Sequence, residues 1–282
     1  MAARALHSPL NPMQLETLTI SVQDHIATVR LNRPDKANAM NATMWQDIRR
    51  AFDWLDGQPE VRVAVLRGEG KVFTAGIDLQ MLATIGASLH QACEARGREA
   101  LRRMILDLQD TLTSLERCRK PVLVAVHGAC IGGGLDLIAC ADMRYASADA
   151  YFSIKEIDVG MTADVGTLQR LPRLVGEGMV RELAYTGRNF TADEALHMRL
   201  VNRVYPSREA LHEGVHALAA QIAAKSPLSI RGTKEMITYA RDHTVADGLN
   251  YVATWNAAML MSQDLQEALA AGRDKRPPVF QD

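Results

Sequence analysis

No Cys-x-x-Cys pair, no bilayer-length apolar run and no surplus of either charge occur in this chain of 282 residues. Each absence removes a class of function. The four cysteines, Cys93, Cys118, Cys130 and Cys140, have no metal-ribbon spacing and read as reduced, buried thiols. The most apolar strand candidate, Val122–Val126, stops at His127, far short of the ~20 residues a spanning helix needs. The balance of 32 basic against 33 acidic residues gives a net charge of −1, so no global field favours nucleic acid or an anionic membrane. Gly-x-Gly-x-x-Gly and Gly-Lys-Ser/Thr are both missing, which excludes the usual nucleotide-binding turns. Gly-x-Ser-x-Gly is missing too, which argues against a serine hydrolase. Met1–Leu10 carries no long apolar stretch and no cleavage signal, so residues 1–14 are expected to form a flexible leader. The chain ends Val279-Phe280-Gln281-Asp282 rather than Ser-Lys-Leu, and a cytoplasmic location is expected.

What is present is a large apolar fraction, 48%, enough for a sizeable core. Thr17–Val22 and His25–Leu31 read as strands around a Gln23-Asp24 turn. Asn41 is placed to cap a helix whose apolar stripe is Met44, Trp45, Ile48, Phe52 and Leu55. Val61–Leu66, Pro121–Val126, Asp142–Ala146 and Tyr151–Ile154 are further strands. Leu101, Met104, Ile105, Leu108, Leu112 and Leu115 repeat at helical spacing. From Arg208 onward the pattern is wholly helical, over roughly 208–224, 227–242 and 245–271. An α/β core over 15–205 followed by a helical region over 206–282 is expected.

Two segments carry the chemistry: Lys71–Leu79, with Gly76, and Ala125–Asp136, with the triple glycine Gly132-Gly133-Gly134. Each reads as a strand entering a glycine turn and then a helix. Glycine permits positive φ and close approach of a ligand. Free amides and the positive end of a helix dipole gather at such a place, which suits a developing oxyanion. A third segment, Lys155–Gly166, adds Glu156, Asp158 and Asp164, and Asp136 stands just after the glycines. A proton shift between carbons needs a carboxylate in reach of each carbon, with its pKa set by an apolar pocket. Each acid also has a purely structural reading. Asp164 would cap a helix, Asp136 would favour a helix dipole, and Glu156 would be a solvated surface charge. His127 reads as a packed core residue, and Asp78 and Asp158 as structural.

The first two segments are similar, nearly residue by residue, to the signature segments of the crotonase (enoyl-CoA hydratase/isomerase) family. The resemblance runs from the Thr17 strand to the 273–280 tail. It implies a crotonase-like ββα spiral core with an α-helical C-terminal oligomerisation region. It implies that the backbone amides of Ile77 and Gly133 hold the thioester oxygen. Hydratases of the family carry Glu at the positions matching Asp136 and Glu156, and the Asp here argues against hydration. The run Lys155–Pro172 resembles the dienoyl-CoA isomerase branch, with acids at 136, 156 and 164. That branch implies conversion of a 3,5-dienoyl-CoA to a 2,4-dienoyl-CoA, with Glu156 as base at C2, Asp164 as acid at C6 and Asp136 orienting the pair. No metal or other cofactor is implied, since coenzyme A arrives as part of the substrate.

The resemblance also implies contacts to CoA from Lys36, Ala37, Ala39 and Ala75, with Arg273, Lys275 or Arg276 reaching a phosphate from a neighbouring chain. A homotrimer or homohexamer is expected, and no nucleic acid or membrane partner. The alternatives within the family are a 2-enoyl-CoA hydratase and a 3,2-enoyl-CoA isomerase. Outside that class stands a non-catalytic RNA-binding relative, which the near-neutral charge disfavours.

Overall fold

Among the described residues, nine strands follow one another: β1 Leu18–Gln23, β2 Ile26–Leu31, β3 Val63–Gly68, β4 Val122–Val126, β5 Ala129–Ile131, β6 Met143–Ser147, β7 Tyr151–Ser153, β8 Phe190–Thr191 and β9 Arg203–Tyr205. The helices are α1 Ala42–Gly57, α2 Leu79–Ser88, α3 Glu94–Arg117, α4 Gly133–Ala139, α5 Thr167–Val175, α6 Glu177–Thr186, α7 Ala192–His197, α8 Arg208–Ala223, α9 Pro227–Asp242, α10 Val245–Met259 and α11 Gln263–Asp274. The computed structural model describes residues 13–88 and 93–282, so the expected leader lies outside the described residues through position 12.

Six strands form one sheet in the order β1-β2-β3-β4-β6-β9. β1 runs antiparallel to β2, and every other pairing is parallel. Every residue of β4 is buried, as a strand covered on both faces requires. On one face Val29, Leu31, Leu66 and Val124 meet Met44, Ile48, Phe52 and Leu55 of α1 in the main core. On the other, Val63, Val65, Leu123 and Ala125 meet Leu211, Val215, Ala219 and Ala223 of α8. Period-2 alternation thus feeds two cores from the same strands.

A second layer, β5-β7-β8, carries the site. Parallel bridges Met40↔Ile77 and Thr74↔Cys130 lay the 36–40 and 74–78 segments beside β5. α4 follows β5 directly. The guanidinium of Arg144 closes the far end of α4, donating to the carbonyls of Ala141 (2.7 Å) and Ile138 (3.3 Å), while its Nε donates to Leu200 (2.8 Å). A cation on those terminal carbonyls complements the helix dipole.

Several elements differ from expectation. The glycine-rich turn foreseen between Gly128 and Gly134 contains β5. The helix foreseen over 245–271 is two helices, because the Ser262 side chain accepts from the Leu265 amide and starts α11 anew. Cys93 is exposed ahead of α3, whereas Cys118, Cys130 and Cys140 are buried.

Candidate active site

Asn38, fully buried, knots the base of the site. Its Nδ2 donates to the carbonyls of Glu69 (2.7 Å), Val72 (3.0 Å) and Phe73 (3.1 Å), and its Oδ1 accepts from the Arg33 amide (2.9 Å). The loop so held carries its neighbour alongside. Ala75 donates its amide to Ala37 (2.9 Å), Met40 to Gly76 (2.8 Å) and Asp78 to Met40 (3.0 Å). A parallel ladder uses every second amide on one side, so that of Ile77 points the other way. It meets no acceptor among the described residues.

Gly132 takes φ 52° at the start of α4, and its amide donates to Ser153 (2.9 Å). The next amide, that of Gly133, is one of the orphan donors of a helix N-terminus and has no acceptor among the described residues. A Cβ on Gly133 would stand 3.8 Å from the Ile77 nitrogen and 2.7 Å from the Met40 methyl. The glycine therefore keeps open a space flanked by two free amides. Such a pair can hold an oxygen as it gains negative charge.

Three carboxylates line one cavity of about 320 Å³ together with Ile77 and Gly133: Asp136, Glu156 and Asp164. Its remaining walls are apolar, with Trp45, Leu101, Met104, Ile105, Leu108 and Met161 among them. Asp136, in the first turn of α4, is 1% exposed. Its Oδ1 accepts from the Thr167 amide (2.6 Å), and its Oδ2 has no partner among the described residues. Glu156 opens a 3-10 turn, Glu156–Val159, that follows β7. Its Oε1 lies 3.1 Å from where a Cβ on Gly132 would be, and its Oε2 is buried without a partner. Glu156 is thus turned inward, not a solvated surface charge. Asp164 does not cap α5, since Gly166 holds that position. Its carbonyl accepts from Gln109 Nε2 (2.6 Å), which ties it to α3.

Burial disfavours the charged form of all three acids. It pushes Asp136 up to about 6, against the opposing hydrogen bonds from Thr167. It pushes Glu156 up to about 7, with the charge of Asp136 adding to the effect. Asp164 is raised too, again by burial. An apolar chamber holding Asp136 and Glu156 with pKa values near neutrality, and a raised Asp164 beside them, is equipped to take a proton at one point and return it at another.

The predicted CoA contacts lie elsewhere. Lys36 and Ala75 are exposed and Ala37 and Ala39 half-buried, side by side on the strip next to Ile77 but outside the cavity lining. Arg276 is engaged by Glu267 at 2.6 Å. His127 is buried, edge-on to His212 with ring centroids 6.1 Å apart, as a packed histidine would be. Asp78 pairs with Arg33 (3.1 Å) and Asp158 with Lys155 (2.6 Å). The sequence reading passed over Asn38, Trp45, Gln109 and Thr167 as parts of the site. Only Asn38 left a signal, since asparagine tolerates the left-handed backbone it adopts here (φ 51°).

Residues 21–282 match the family model described as enoyl-CoA hydratase/isomerase. The chain belongs to the enoyl-CoA hydratase/isomerase family. Within this family it is 47% identical over 257 residues to the mitochondrial delta(3,5)-delta(2,4)-dienoyl-CoA isomerase of Homo sapiens, covering 91% of this chain and 78% of that one. It is 45% identical over 267 residues to the peroxisomal enzyme of the same name from Arabidopsis thaliana, covering 94% and 96%. Among solved structures, a putative enoyl-CoA hydratase from Streptomyces coelicolor A3(2) superposes with a TM-score of 0.87 at 30% identity, covering 99% of each chain. The crotonase-like α/β spiral is therefore the fold of this family member. The expected cytoplasmic location is overturned, because the named relatives are mitochondrial or peroxisomal. That expectation rested on one missing tripeptide and one missing apolar stretch, and receptor-read addresses take other forms as well.

Proposed function

We propose that this protein is a delta(3,5)-delta(2,4)-dienoyl-CoA isomerase acting in fatty-acid metabolism. The observation that carries the reading is the convergence of Asp136, Glu156 and Asp164 on the one apolar cavity that Ile77 and Gly133 also line. The names of the relatives described above point the same way. A hydratase or a 3,2-enoyl-CoA isomerase gives no account of a third carboxylate at Asp164.

The thioester oxygen sits between the amides of Ile77 and Gly133. Glu156, ionised, takes a proton from C2. The electron pair spreads from the thioester oxygen along the conjugated carbons to C6, and the two amides stabilise the charge at oxygen. Asp164, protonated, supplies a proton to C6, and the double bonds come to rest at C2 and C4. Asp136, fixed by Thr167, orients and tunes Glu156. Atoms and charge balance without an oxidant, so the reaction calls for no cofactor beyond the coenzyme A that the substrate carries.

Lys36, Ala37, Ala39 and Ala75 form the strip along which the CoA portion lies. Exposed apolar residues of the helical region, Ile237, Leu249 and Leu260, support assembly of the chain into a homotrimer or homohexamer. Partners other than the acyl-CoA and further copies of the chain, whether nucleic acid or membrane, are not part of the reading. No helix among the described residues is long and apolar enough to cross a bilayer.

The test is direct. The purified protein is mixed with a 3,5-dienoyl-CoA and the absorbance of the conjugated 2,4-dienoyl product is followed, with a 2-enoyl-CoA run in parallel. Dienoyl turnover well above hydration is expected. Active hydration without any dienoyl product would refute the reading.

A further inference from the structure

Trp45 is 3% exposed, and its indole N–H has no hydrogen-bond partner among the described residues. A buried indole N–H normally finds one, and a buried donor without one loses its hydration for nothing in return. Trp45 sits in the first turn of α1, where its amide donates to the carbonyl of the cap residue Asn41 (3.1 Å). The ring lines the reaction cavity, and its Cζ2 lies 3.8 Å from where a Cβ on Gly133 would be. That same point is 3.8 Å from the Ile77 nitrogen. In an indole, Cζ2 and Nε1 are bonded to the same carbon. The unpaired N–H thus stands two bonds from the ring atom that approaches the two free amides.

We propose that the indole N–H of Trp45 is a third hydrogen-bond donor of the reaction cavity, acting on the oxygen end of the bound thioester beside the amides of Ile77 and Gly133. This rests on the isomerase reading above. When C2 loses its proton, the oxygen gains charge, and a preorganised donor in an apolar, water-poor chamber is worth more to that state than to the substrate. The same N–H is a burden to the empty protein, since it is buried with no partner among the described residues. Trp45, Met104 and Leu108 also line a second cavity of about 750 Å³ that holds Arg33, Arg49 and Asp107. The competing possibility is that the N–H serves that cavity instead.

Trp45→Phe removes the donor and keeps an aromatic ring. It is expected to lower kcat by about 10- to 100-fold with KM nearly unchanged. The absorbance of bound 2,4-dienoyl-CoA should be less red-shifted than in the parent protein, because the carbonyl is less polarised. The urea midpoint of the empty protein should hold or rise. A second measurement does not depend on that variant folding. The chain has three tryptophans, so its indole N–H resonances can be assigned with Trp54→Phe and Trp255→Phe, and that of Trp45 should move downfield when the product binds. Parent kcat and product spectrum in Trp45→Phe, or an unmoved Trp45 resonance, would overturn the proposal. Should the parent protein itself fail to convert a 3,5-dienoyl-CoA, it is the isomerase reading that falls.

Discussion

The amide of Thr167 donates to Oδ1 of Asp136 across 2.6 Å, while Oδ2 of the same carboxylate stays buried and unpaired among the described residues. One oxygen is anchored and the other is left to interact with whatever enters the chamber. The anchor alone does not keep Asp136 in the ordinary carboxylate range, because burial outweighs it and pushes the group to about 6. The charge of Asp136 then adds to the burial that brings Glu156 to about 7. Two acids with neighbouring titrations follow from one helix start and one turn.

This coupling predicts the effect of Asp136→Asn on the pH profile. Glu156 must be ionised to act as base, so kcat/KM falls as the pH drops through its pKa near 7. Asparagine still accepts from Thr167 but carries no charge. The pKa of Glu156 should fall, and the acidic limb of the profile should move to lower pH. A limb that stays in place would mean that burial alone sets the value.

Glu156→Gln and Asp164→Asn keep the shape of each side chain and remove its proton chemistry. Each is expected to reduce dienoyl-CoA turnover by a factor on the order of 10²–10⁴. Steady-state rates on a 3,5-dienoyl-CoA measure this. Full turnover in Asp164→Asn would remove Asp164 from its assigned role.

Stability should respond in the opposite sense. Glu156 is raised from 4.5 to about 7, so the folded protein binds its proton more tightly than the unfolded chain does. The favourable contribution is fully present below pH 4.5 and is lost as the pH rises through 7. At pH 8 the buried charge is a liability, and Glu156→Gln should raise Tm there by roughly 2–4 °C. At pH 4 the two proteins should melt together. Calorimetry at both pH values checks the pair, and an equal shift at pH 4 would point to packing rather than ionisation.

How far the sequence reaches can be seen at particular residues. Pro121–Val126 reads as a doubly covered strand from its unbroken apolar run, and β4 within it is buried at every residue. Gly132-Gly133-Gly134 reads as the entry to a short helix, and α4 begins there, though β5 hides in the turn ahead of it. At Ser262 a local cap outweighs a helical period that continues across it, and one expected helix becomes two. Trp45 reads as one more apolar position on α1, because periodicity registers which face a residue is on and not what its polar atom meets. Gln109 and Thr167 carry no local sign of their role at all. Each acts on an acid far away in the chain, through a single hydrogen bond.

The sequence by itself determined the chemical inventory: which glycines leave amides open, which acids are available, and which family segments they stand in. Those are local matters, written in residue type and spacing. Only the tertiary structure decided that Asp136, Glu156 and Asp164 share an apolar chamber with the Ile77 and Gly133 amides. It also decided how far burial lifts each acid from its ordinary range. Desolvation and charge coupling depend on what is packed around a group, and those neighbours come from helices and strands distant in the chain.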